Sequence, residues 1–431
     1  METPARHAKN YDAIVVGTGP GGATVARELV KKGQHVLMLE WGKDVPFNGS
    51  KTQAMGIIGT PGKNYTITSD GMIVGKGTTV GGSTSLYCGS AYPPPIAMFA
   101  KYGVDIRAEL EETRKDLPIG KLKSELIGPH SKVIAESARL LGHKWELLDK
   151  FNYQDKCRLG CFMCFTGCPN GAKWTARGYA LEAKSGGATL LTEAKALDII
   201  VENGTATGVK YSHEGSMHSA YAKNIIIAAG GLGTPVLLRK AGIGNAGKNF
   251  FVDPMVLAFG LLDALPGGGE VPMTGGMHLP EEGIMMADLP LYPVVYRLLA
   301  LQKLHVKNAI NHKKAVGIMV KAKDDLGGEV TNSGGVKKVL TVNDHKRLAT
   351  GYELAKGILE RAGAKNIFKS MIIAGHPGGT AKIGDIVDSN LMTAAVKNLY
   401  VSDCSVIPEA WGLPPTLTLV CLGKRLAKHL Q

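Results

Sequence analysis

The chain has 431 residues, of which 56 are glycine and seven are cysteine, and its formal net charge is +13. Its 44% hydrophobic and 20% charged content exclude an intrinsically disordered chain, and the absence of a G-x-y period excludes collagen. The length suffices for two or three domain-sized units with a sizeable core. The surplus glycine is therefore expected at turns or where the backbone approaches a ligand closely.

No pattern typical of export or membrane insertion is found. Residues 1–10 lack an apolar core, so no signal peptide is expected, and no run of 18 apolar residues predicts a transmembrane helix. We expect a cytoplasmic protein, with peripheral membrane attachment as the alternative. Lysine and arginine are dispersed, so no nucleic-acid partner is expected. The positive charge fits an ordinary basic surface, or a docking face for an acidic redox protein or an anionic membrane.

The first elements predict a βαβ unit of about 30 residues. A β-branched run at 11–16 leads into a glycine-rich turn, a helix that ends at Gly33, and a strand that ends at Glu40. The turn carries the G-x-G-x-x-G pattern of a dinucleotide site, and its residues are Gly17, Gly19, Pro20, Gly21 and Gly22.

Each position of this pattern has a physical role. Gly17 permits the tight turn, Gly19 lets a pyrophosphate approach the backbone, and Gly22 lets the helix pack closely on the sheet. The helix N-terminus presents free N–H groups to phosphates. Glu40 would accept hydrogen bonds from the adenosine ribose hydroxyls and repel a 2′-phosphate. This segment is compatible with both NAD and FAD.

Further along the chain, the periodicity predicts helices at 125–142, 345–363 and 416–430, strands at 207–211, 218–229 and 398–402, and a helix followed by a strand at 173–200. Residues 255–345 differ in composition and predict a separate, substrate-facing unit. Within it, segment 292–307 mixes Leu, Val and Tyr with Arg and Lys. It is interpreted as a core-packed helix, with a membrane-surface patch or a hydrophobic substrate gate as the alternative.

Four cysteines are clustered in the pattern C-x3-C-x2-C-x3-C-P, formed by Cys157, Cys161, Cys164 and Cys168. It resembles the ferredoxin run C-x2-C-x2-C-x3-C-P, with the first spacing longer by one residue. Because closely spaced thiolates can wrap one cubane, we predict a [4Fe-4S] cluster. Structural zinc, which more often uses two separated C-x2-C pairs, and disulfides stay open as alternatives. The other cysteines are expected to be small core residues: Cys88, Cys404 and Cys421.

Two distant segments extend the dinucleotide site. Residues 75–84 form a second glycine-dense loop, and the strand at 398–402 leads to Asp403. An NAD site is usually complete within one Rossmann unit, whereas the longer FAD needs further contacts. With these segments the chain resembles the glucose–methanol–choline (GMC) family of flavoprotein oxidoreductases. The resemblance is carried by four ordered blocks, at 12–42, 75–85, 224–244 and 374–419.

The resemblance implies an α/β fold: a discontinuous Rossmann-like FAD-binding domain, a smaller α+β substrate domain and an iron–sulfur loop segment. The implied division is FAD-binding at 1–100, 173–254 and 371–431, a helical connection at 101–150, the iron–sulfur segment at 151–172 and the substrate domain at 255–370. Besides the first turn and Glu40, the implied FAD-binding residues are Gly81, Gly82, Ser83, Ala196, Ala229, Asp403, Pro415 and Thr416.

The resemblance also implies the catalytic base, His376. The matching histidine of the family faces the flavin N5 and takes the hydroxyl proton of the substrate while the hydride leaves for N5. The family usually places an Asn or His beside it, where this chain has Pro414, which offers no side-chain donor or acceptor. Either another residue supplies the second group, with His278 and Tyr296 as candidates, or the reaction differs from ordinary alcohol oxidation.

The sequence therefore predicts an FAD-dependent dehydrogenase that oxidises a CH–OH group of a small, hydrophobic substrate. The cluster would pass electrons singly to a ferredoxin-like carrier protein or a quinone, which favours a dehydrogenase over an oxygen-consuming oxidase. One alternative uses the same cofactors to reduce a C=O or C=C bond, with a carbonyl compound as substrate. The other is an electron-transfer flavoprotein with a vestigial substrate pocket.

Overall fold

The structure is a computed structural model, and it describes residues 10–50, 52, 53, 56, 59–161, 163–165, 167–265 and 269–430. The N-terminal residues 1–9, where no signal peptide was expected, lie outside this part. The described helices are α1 (Pro20–Lys31), α2 (Ile96–Ala100), α3 (Arg107–Asp116), α4 (Pro129–Leu140), α5 (Arg177–Ser185), α6 (Gly230–Lys240), α7 (Pro293–Gln302), α8 (Val306–Ile310), α9 (Val342–Arg361) and α10 (Thr416–His429).

The described strands form two large sheets and two short ribbons. They are β1 (Asn10–Val16), β2 (Val36–Leu39), β3 (Tyr65–Ile67), β4 (Ile73–Gly75), β5 (Ile119–Gly120), β6 (Glu146–Leu147), β7 (Lys150–Phe151), β8 (Thr189–Leu191), β9 (Lys195–Glu202), β10 (Thr205–His213), β11 (Ser216–Ile227), β12 (Pro254–Leu261), β13 (Gly275–Leu279), β14 (Ile284–Asp288), β15 (Ala315–Ala322), β16 (Glu329–Val330), β17 (Val336–Lys337), β18 (Lys365–Lys369), β19 (Ile373–Ala374) and β20 (Leu399–Val401).

The first sheet has the order β8-β2-β1-β11-β10-β9, and β20 pairs with the C-terminal half of β11. The strands β8, β2, β1, β11 and β20 run parallel, with Val15 opposite both Met38 and Ile226. These central strands are continuous β-branched or apolar runs because both faces of a parallel sheet are covered. Helix α1 packs against α5 and α10. The carboxyl ends of β1, β2, β11 and β20 meet at one edge.

The second sheet is mostly antiparallel, with the order β3-β4-β19-β12-β15-β14-β13-β6, and β18 pairs with β12. Helix α9 covers one face, where Gly351 lies against the side chain of Val320. Because successive strand residues point to opposite faces, the next residue, Lys321, points away from α9. Lys321 lies opposite Met255 on β12 and Met285 on β14.

The predicted α/β class is confirmed, and the predicted first strand, first helix and closing helix are present. The region 51–100, interpreted as loops, also contains β3, β4 and α2 in its described part. The helix predicted at 345–363 begins earlier, at Val342, because Thr341 and Asp344 form a capping box. Strands from outside 255–370 join the second sheet, and the domain boundaries stay a prediction.

Candidate active site

The turn between β1 and α1 shows which glycines serve packing and which leaves room. Gly17 has φ 99°, and a β-carbon there would clash with the carbonyl oxygen of Ala228. A β-carbon at Gly22 would clash with the carbonyl oxygen of Gly17. Gly19 differs, because apart from its immediate chain neighbours no atom lies within 4 Å of the position its β-carbon would take. The open space beside Gly19 is where the backbone could meet a pyrophosphate.

Glu40 connects this turn to the second glycine loop. Its Oε2 accepts hydrogen bonds from the Thr18 amide at 3.1 Å and the Thr18 hydroxyl at 2.7 Å, and its Oε1 accepts one from the Gly42 amide at 2.8 Å. The Thr18 hydroxyl in turn accepts a hydrogen bond from the Gly81 amide at 3.2 Å. Burial raises the pKa of Glu40. The two loops, distant in sequence, are thus joined through one threonine.

The remaining residues of the second loop lie against the first turn. Gly82 has φ 56°, and its β-carbon would lie 2.9 Å from the Cα of Gly19. The hydroxyl of Ser83 accepts a hydrogen bond from the Gly77 amide at 3.0 Å, which closes the loop on itself. Ala196 lies on β9, two residues after Ala194, whose amide donates to the carbonyl oxygen of Glu40 at 2.8 Å.

Asp403 holds the N-terminus of α6. Its Oδ2 accepts hydrogen bonds from the Gly230 amide at 2.8 Å and the Thr234 hydroxyl, and its Oδ1 accepts one from the Ser405 amide at 2.8 Å. Ala229 is the residue that caps α6, and Pro415 caps α10, which begins at Thr416. Helix N-termini carry partial positive charge and free N–H groups. These starts and the open space at Gly19 fit an FAD with its negatively charged pyrophosphate.

The loop that carries His376 packs onto the start of α6. The two glycine loops, Asp403 and the starts of α1, α6 and α10 are together called the cradle. A β-carbon at Gly231 in α6 would clash with the carbonyl oxygen of Pro377, and the Thr380 hydroxyl donates to the carbonyl oxygen of Gly231 at 3.0 Å. A β-carbon at Gly378 would lie 2.7 Å from the carbonyl oxygen of Cys404. His376 is therefore held by backbone contacts next to Asp403 and the start of α6.

The ring of His376 contacts two buried groups of opposite charge. Its Nδ1 lies 3.1 Å from Oδ2 of Asp253 and 3.2 Å from Nζ of Lys321, and those two side-chain atoms lie 3.9 Å apart. The side chain of His376 is 29% exposed, whereas those of Asp253 and Lys321 are almost fully buried. Burial and the charge of Lys321 lower the pKa of His376 well below 6.5.

Burial also shifts both partners. It raises the pKa of Asp253 and lowers the pKa of Lys321, while each group's charge opposes the shift of the other. Asp253 and His376 have φ 44° and φ 51°, in the left-handed region that few residues with a β-carbon adopt. Such backbone conformations persist where the surroundings hold them, and they concentrate at functional sites.

A second buried pair holds Asp253 in place. Both carboxylate oxygens of Asp324 lie within hydrogen-bond distance of the Val252 amide, at 3.1 and 3.2 Å, and Oδ1 accepts from the Asp253 amide at 3.0 Å. Asp324 is paired with Nζ of Lys338 at 2.7 Å. Burial raises the pKa of Asp324 to about 6. The backbone at Asp253 is thus held by Asp324, whose charge is balanced by Lys338.

Sequence reasoning missed both Asp253 and Lys321. The available signal was a charged residue inside an apolar run, because Asp253 follows Phe250-Phe251-Val252 and Lys321 stands in the strand VGIMVKA. Charged residues are rarely fully buried without a partner. The partner could not be identified, because the contacts to His376 span 123 and 55 residues.

The two candidates for the second polar group lie in different places. His278 is opposite Met285, which is opposite Lys321, so all three share one face of the second sheet. Burial and Lys321 lower the pKa of His278. Tyr296 packs against Phe259 with ring centroids 5.1 Å apart. Phe259 lies four residues along β12 from Met255, the residue opposite Lys321. Four residues of a strand span about 13 Å, so Tyr296 lies well away from Lys321.

The four clustered cysteines line one cleft, together with Asn152, Arg158, Asn170, Ala172, Lys173, Gly269, Glu270 and Val271. All four are free thiols. In the described part of the chain, no three His, Cys, Asp or Glu side chains are arranged to hold a metal ion. This finding favours neither metal, so the [4Fe-4S] cluster and structural zinc both stay predictions.

Lys173 links this cleft to the glycine loops. Its Nζ donates hydrogen bonds to the carbonyl oxygens of Ser85 at 3.0 Å, Tyr87 at 2.8 Å and Cys164 at 2.6 Å. Ser85 ends the short turn Gly82–Ser85. Burial lowers the pKa of Lys173 to about 8. One ammonium group thus joins the cysteine loop to the segment that follows Ser83.

Comparison with family models gives two matches. A model described as GMC oxidoreductase matches residues 11–256, and a second model with the same description matches residues 336–423. The two matches include the glycine loops, Glu40, Asp253, His376 and Asp403.

Comparison with curated proteins gives relatives along almost the whole chain. An uncharacterized protein of Methanocaldococcus jannaschii is 28% identical, over 97% of this chain and 100% of its own length. An uncharacterized GMC-type oxidoreductase of Mycobacterium tuberculosis is 24% identical, over 96% and 75%. A long-chain-alcohol oxidase of Arabidopsis thaliana is 22% identical, over 97% and 68%.

Comparison with solved structures shows the same fold in a pyridoxine 4-oxidase from Mesorbium loti. The TM-score is 0.72 at 16% sequence identity, and the match covers 97% of this chain and 98% of that one.

Proposed function

The chain belongs to the GMC oxidoreductase family, and we propose that it is an FAD-dependent dehydrogenase that oxidises a CH–OH group. One curated relative is named a long-chain-alcohol oxidase, and the chain shares its fold with a pyridoxine 4-oxidase. The observation that carries the proposal is the contact of His376 with Asp253, in a loop packed onto the start of α6. A histidine oriented by a buried carboxylate is suited to removing a hydroxyl proton.

FAD, when bound, would supply the hydride acceptor of the reaction. The backbone at Gly19, Gly81 and Gly82 and the starts of α1, α6 and α10 would hold its pyrophosphate and neighbouring groups. The close packing of the loops on one another would exclude water from the bound cofactor. Asp403 would act by fixing the amides at the start of α6.

Asp253 orients His376 as the base. When Nδ1–H donates to Asp253, Nε2 carries no proton and can accept one from the substrate hydroxyl. The Asp253 carboxylate then stabilises the imidazolium that forms. The low pKa of His376 keeps the ring neutral at neutral pH, so it is ready to accept.

Lys321 supplies the polar group that Pro414 lacks. It lies on the face of the second sheet opposite α9 and contacts the same ring, within 3.2 Å of Nδ1. A buried ammonium can stabilise the negative charge that develops on the substrate oxygen as its proton leaves. His278 shares this face of the sheet and would line the substrate pocket beside Lys321.

The base is tested by anaerobic mixing of the FAD-loaded protein with a panel of primary and secondary alcohols. We expect flavin bleaching with at least one alcohol, and a loss of about 10²–10⁴-fold in its rate for His376→Ala. Asp253→Asn should lose rate without a matching change in KM. Asp288→Asn is the matched control, because this buried aspartate on β14 binds Ser131 and Gly275 instead. An unchanged rate in His376→Ala would refute the base.

We further propose that Cys157, Cys161, Cys164 and Cys168 hold a [4Fe-4S] cluster, which would supply one-electron transfer out of the site. Two observations support it: the four cysteines line one cleft as free thiols, and Lys173 links that cleft to the segment that follows Ser83. A ferredoxin-like protein or a quinone would be the acceptor.

Metal analysis of protein purified without oxygen tests the cluster. We expect iron and acid-labile sulfide at about four each per chain, as a cubane requires, and a marked loss of both in Cys164→Ser. Cys421→Ser is the matched control, because Cys421 is buried in the core of the first sheet and its helices. Stoichiometric zinc without sulfide would overturn the proposal.

A further inference from the structure

Helices α7 and α8 and the turn between them expose most of their large aliphatic side chains. The positions they bury are Tyr296 and Ala300 in α7, and Asn308 and Ala309 in α8. The outward side chains, which we call the α7–α8 patch, are Val294, Leu298, Leu301, Leu304, Val306 and Ile310. A surface helix of a globular protein normally buries its large apolar residues and exposes polar ones. Here that distribution is inverted.

The most exposed members of the patch contribute little to the core. Leu304 is 87% exposed and Ile310 is 72% exposed, so most of each side chain is outside the packing of the protein. Leu304 also has φ 61°, a left-handed conformation that glycine or asparagine would adopt more readily. A leucine at this exposed turn therefore points to a use for its side chain outside the chain itself.

The patch lies in a stretch without negative charge. Between Leu289 and Lys323 the sequence has six lysines and one arginine, and no aspartate or glutamate. Lys303 and Lys307 are exposed between the apolar side chains, and Arg297 and Lys313 are exposed beside them. An apolar centre with a basic rim matches the two layers of an anionic bilayer surface, acyl chains below and phosphates above.

We propose that the α7–α8 patch binds the surface of an anionic lipid bilayer, with the apolar side chains inserted and the lysines on lipid phosphates. Among the described helices, none is long and apolar enough to cross a bilayer. Pairing of two copies of this chain through the patch is disfavoured, because it would bring their basic rims together. This inference goes beyond the proposed function and does not depend on it.

Flotation of the full-length, FAD-loaded protein with lipid vesicles tests the proposal. We expect binding to vesicles of phosphatidylcholine and phosphatidylglycerol in equal parts, and weak binding to phosphatidylcholine alone. Replacing Lys303, Lys307 and Lys313 together by glutamine should weaken binding on the order of a hundredfold. Replacing Leu301, Leu304 and Ile310 together by serine should weaken it at least about a hundredfold.

The matched control replaces two apolar side chains that are equally exposed elsewhere, Val339→Ser and Val342→Ser, at 67% and 84% exposure. These should bind vesicles as the parent does. Flavin absorbance and thermal denaturation monitor the fold of every variant. The proposal is overturned if the parent does not bind the anionic vesicles, or if the serine variant binds them equally well. It is also overturned if the parent forms dimers that only the serine variant dissociates while vesicle binding is absent.

Discussion

The Nδ1 atom of His376 faces a carboxylate and an ammonium at nearly equal distance, 3.1 Å from Asp253 and 3.2 Å from Lys321. The carboxylate favours a proton on Nδ1, whereas the ammonium favours a bare Nδ1 that accepts. Under the proposed function, these two buried groups would decide which ring nitrogen is free to act as the base. Lys321 also keeps the whole ring neutral by lowering its pKa.

Replacing Lys321 by methionine should shift the acid limb of the pH profile of kcat/KM, the range in which activity is lost as the pH falls, to higher pH. The proposed base needs a neutral His376 and an ionised Asp253. The acid limb of kcat/KM in the parent therefore follows whichever group takes a proton first as the pH falls: His376, whose pKa lies well below 6.5, or Asp253, whose pKa is raised by burial. Removal of the lysine charge raises the pKa of His376, and it also leaves Asp253 easier to protonate. Both effects shift the limb to higher pH in Lys321→Met.

The control for this experiment is Lys323→Met, because Lys323 is exposed just beyond β15 and does not contact the ring. Its acid limb should coincide with that of the parent. If the acid limb of Lys321→Met also coincides with that of the parent, Lys321 does not influence the base, whatever the change in kcat.

At the scale of elements, the glycines of the β1–α1 turn have two different roles, close packing against the protein and leaving room for a ligand. A β-carbon at three of its glycines, Gly17, Gly21 and Gly22, would clash with the protein's own backbone, whereas Gly19 borders free space. Gly19 has φ −64°, which any residue can adopt. The conformation of the turn therefore does not require glycine at this position, and the room beside it is available to a ligand.

Exchanging single glycines for alanine should separate these roles. Gly22→Ala places a β-carbon on backbone atoms and should destabilise the apoprotein by at least about 2 kcal/mol. Gly19→Ala should leave the stability of the apoprotein within about 0.5 kcal/mol of the parent, yet weaken FAD binding. Chemical denaturation without FAD and titration with FAD measure the two effects. Unimpaired FAD affinity in Gly19→Ala would place the pyrophosphate elsewhere.

On the scale of the whole molecule, the cradle joins segments far apart in the chain. The Thr18 hydroxyl bridges Glu40 and Gly81, and Asp403 binds the start of α6 across 173 residues. A ligand that contacts several of these segments stabilises their assembly, since the unfolded chain offers no such site.

FAD should therefore raise the thermal stability of the apoprotein more than a fragment of FAD does. At a free concentration a hundred times its Kd, FAD should stabilise the fold by about 2.7 kcal/mol. Riboflavin at the same concentration lacks the pyrophosphate that the helix starts would bind, so it should have little effect. Thermal denaturation with each compound measures this difference, and equal protection by riboflavin would argue against the cradle.

Local sequence patterns were sufficient for the α/β class, the βαβ turn and the family, and they give His376 as the candidate base, which stays a prediction. These features depend on residues close together in the chain: the glycine spacing, the β-branched runs and the block around His376. The cysteine pattern was equally visible, and the [4Fe-4S] cluster that it predicts stays a proposal. The interpretation of 292–307 as a core-packed helix was wrong, because the segment forms two helices that expose most of their large aliphatic side chains.

Tertiary structure alone decided the surroundings of His376 and the exposure of the α7–α8 patch. Asp253 ends a buried apolar run and Lys321 lies within a buried strand, and both meet His376 only because β12, β15 and the 375–380 loop converge. The outward face of α7 follows from Tyr296 and Ala300 packing inward. Contacts across 55 and 123 residues leave no local periodicity, so they depend on how the two sheets pack together.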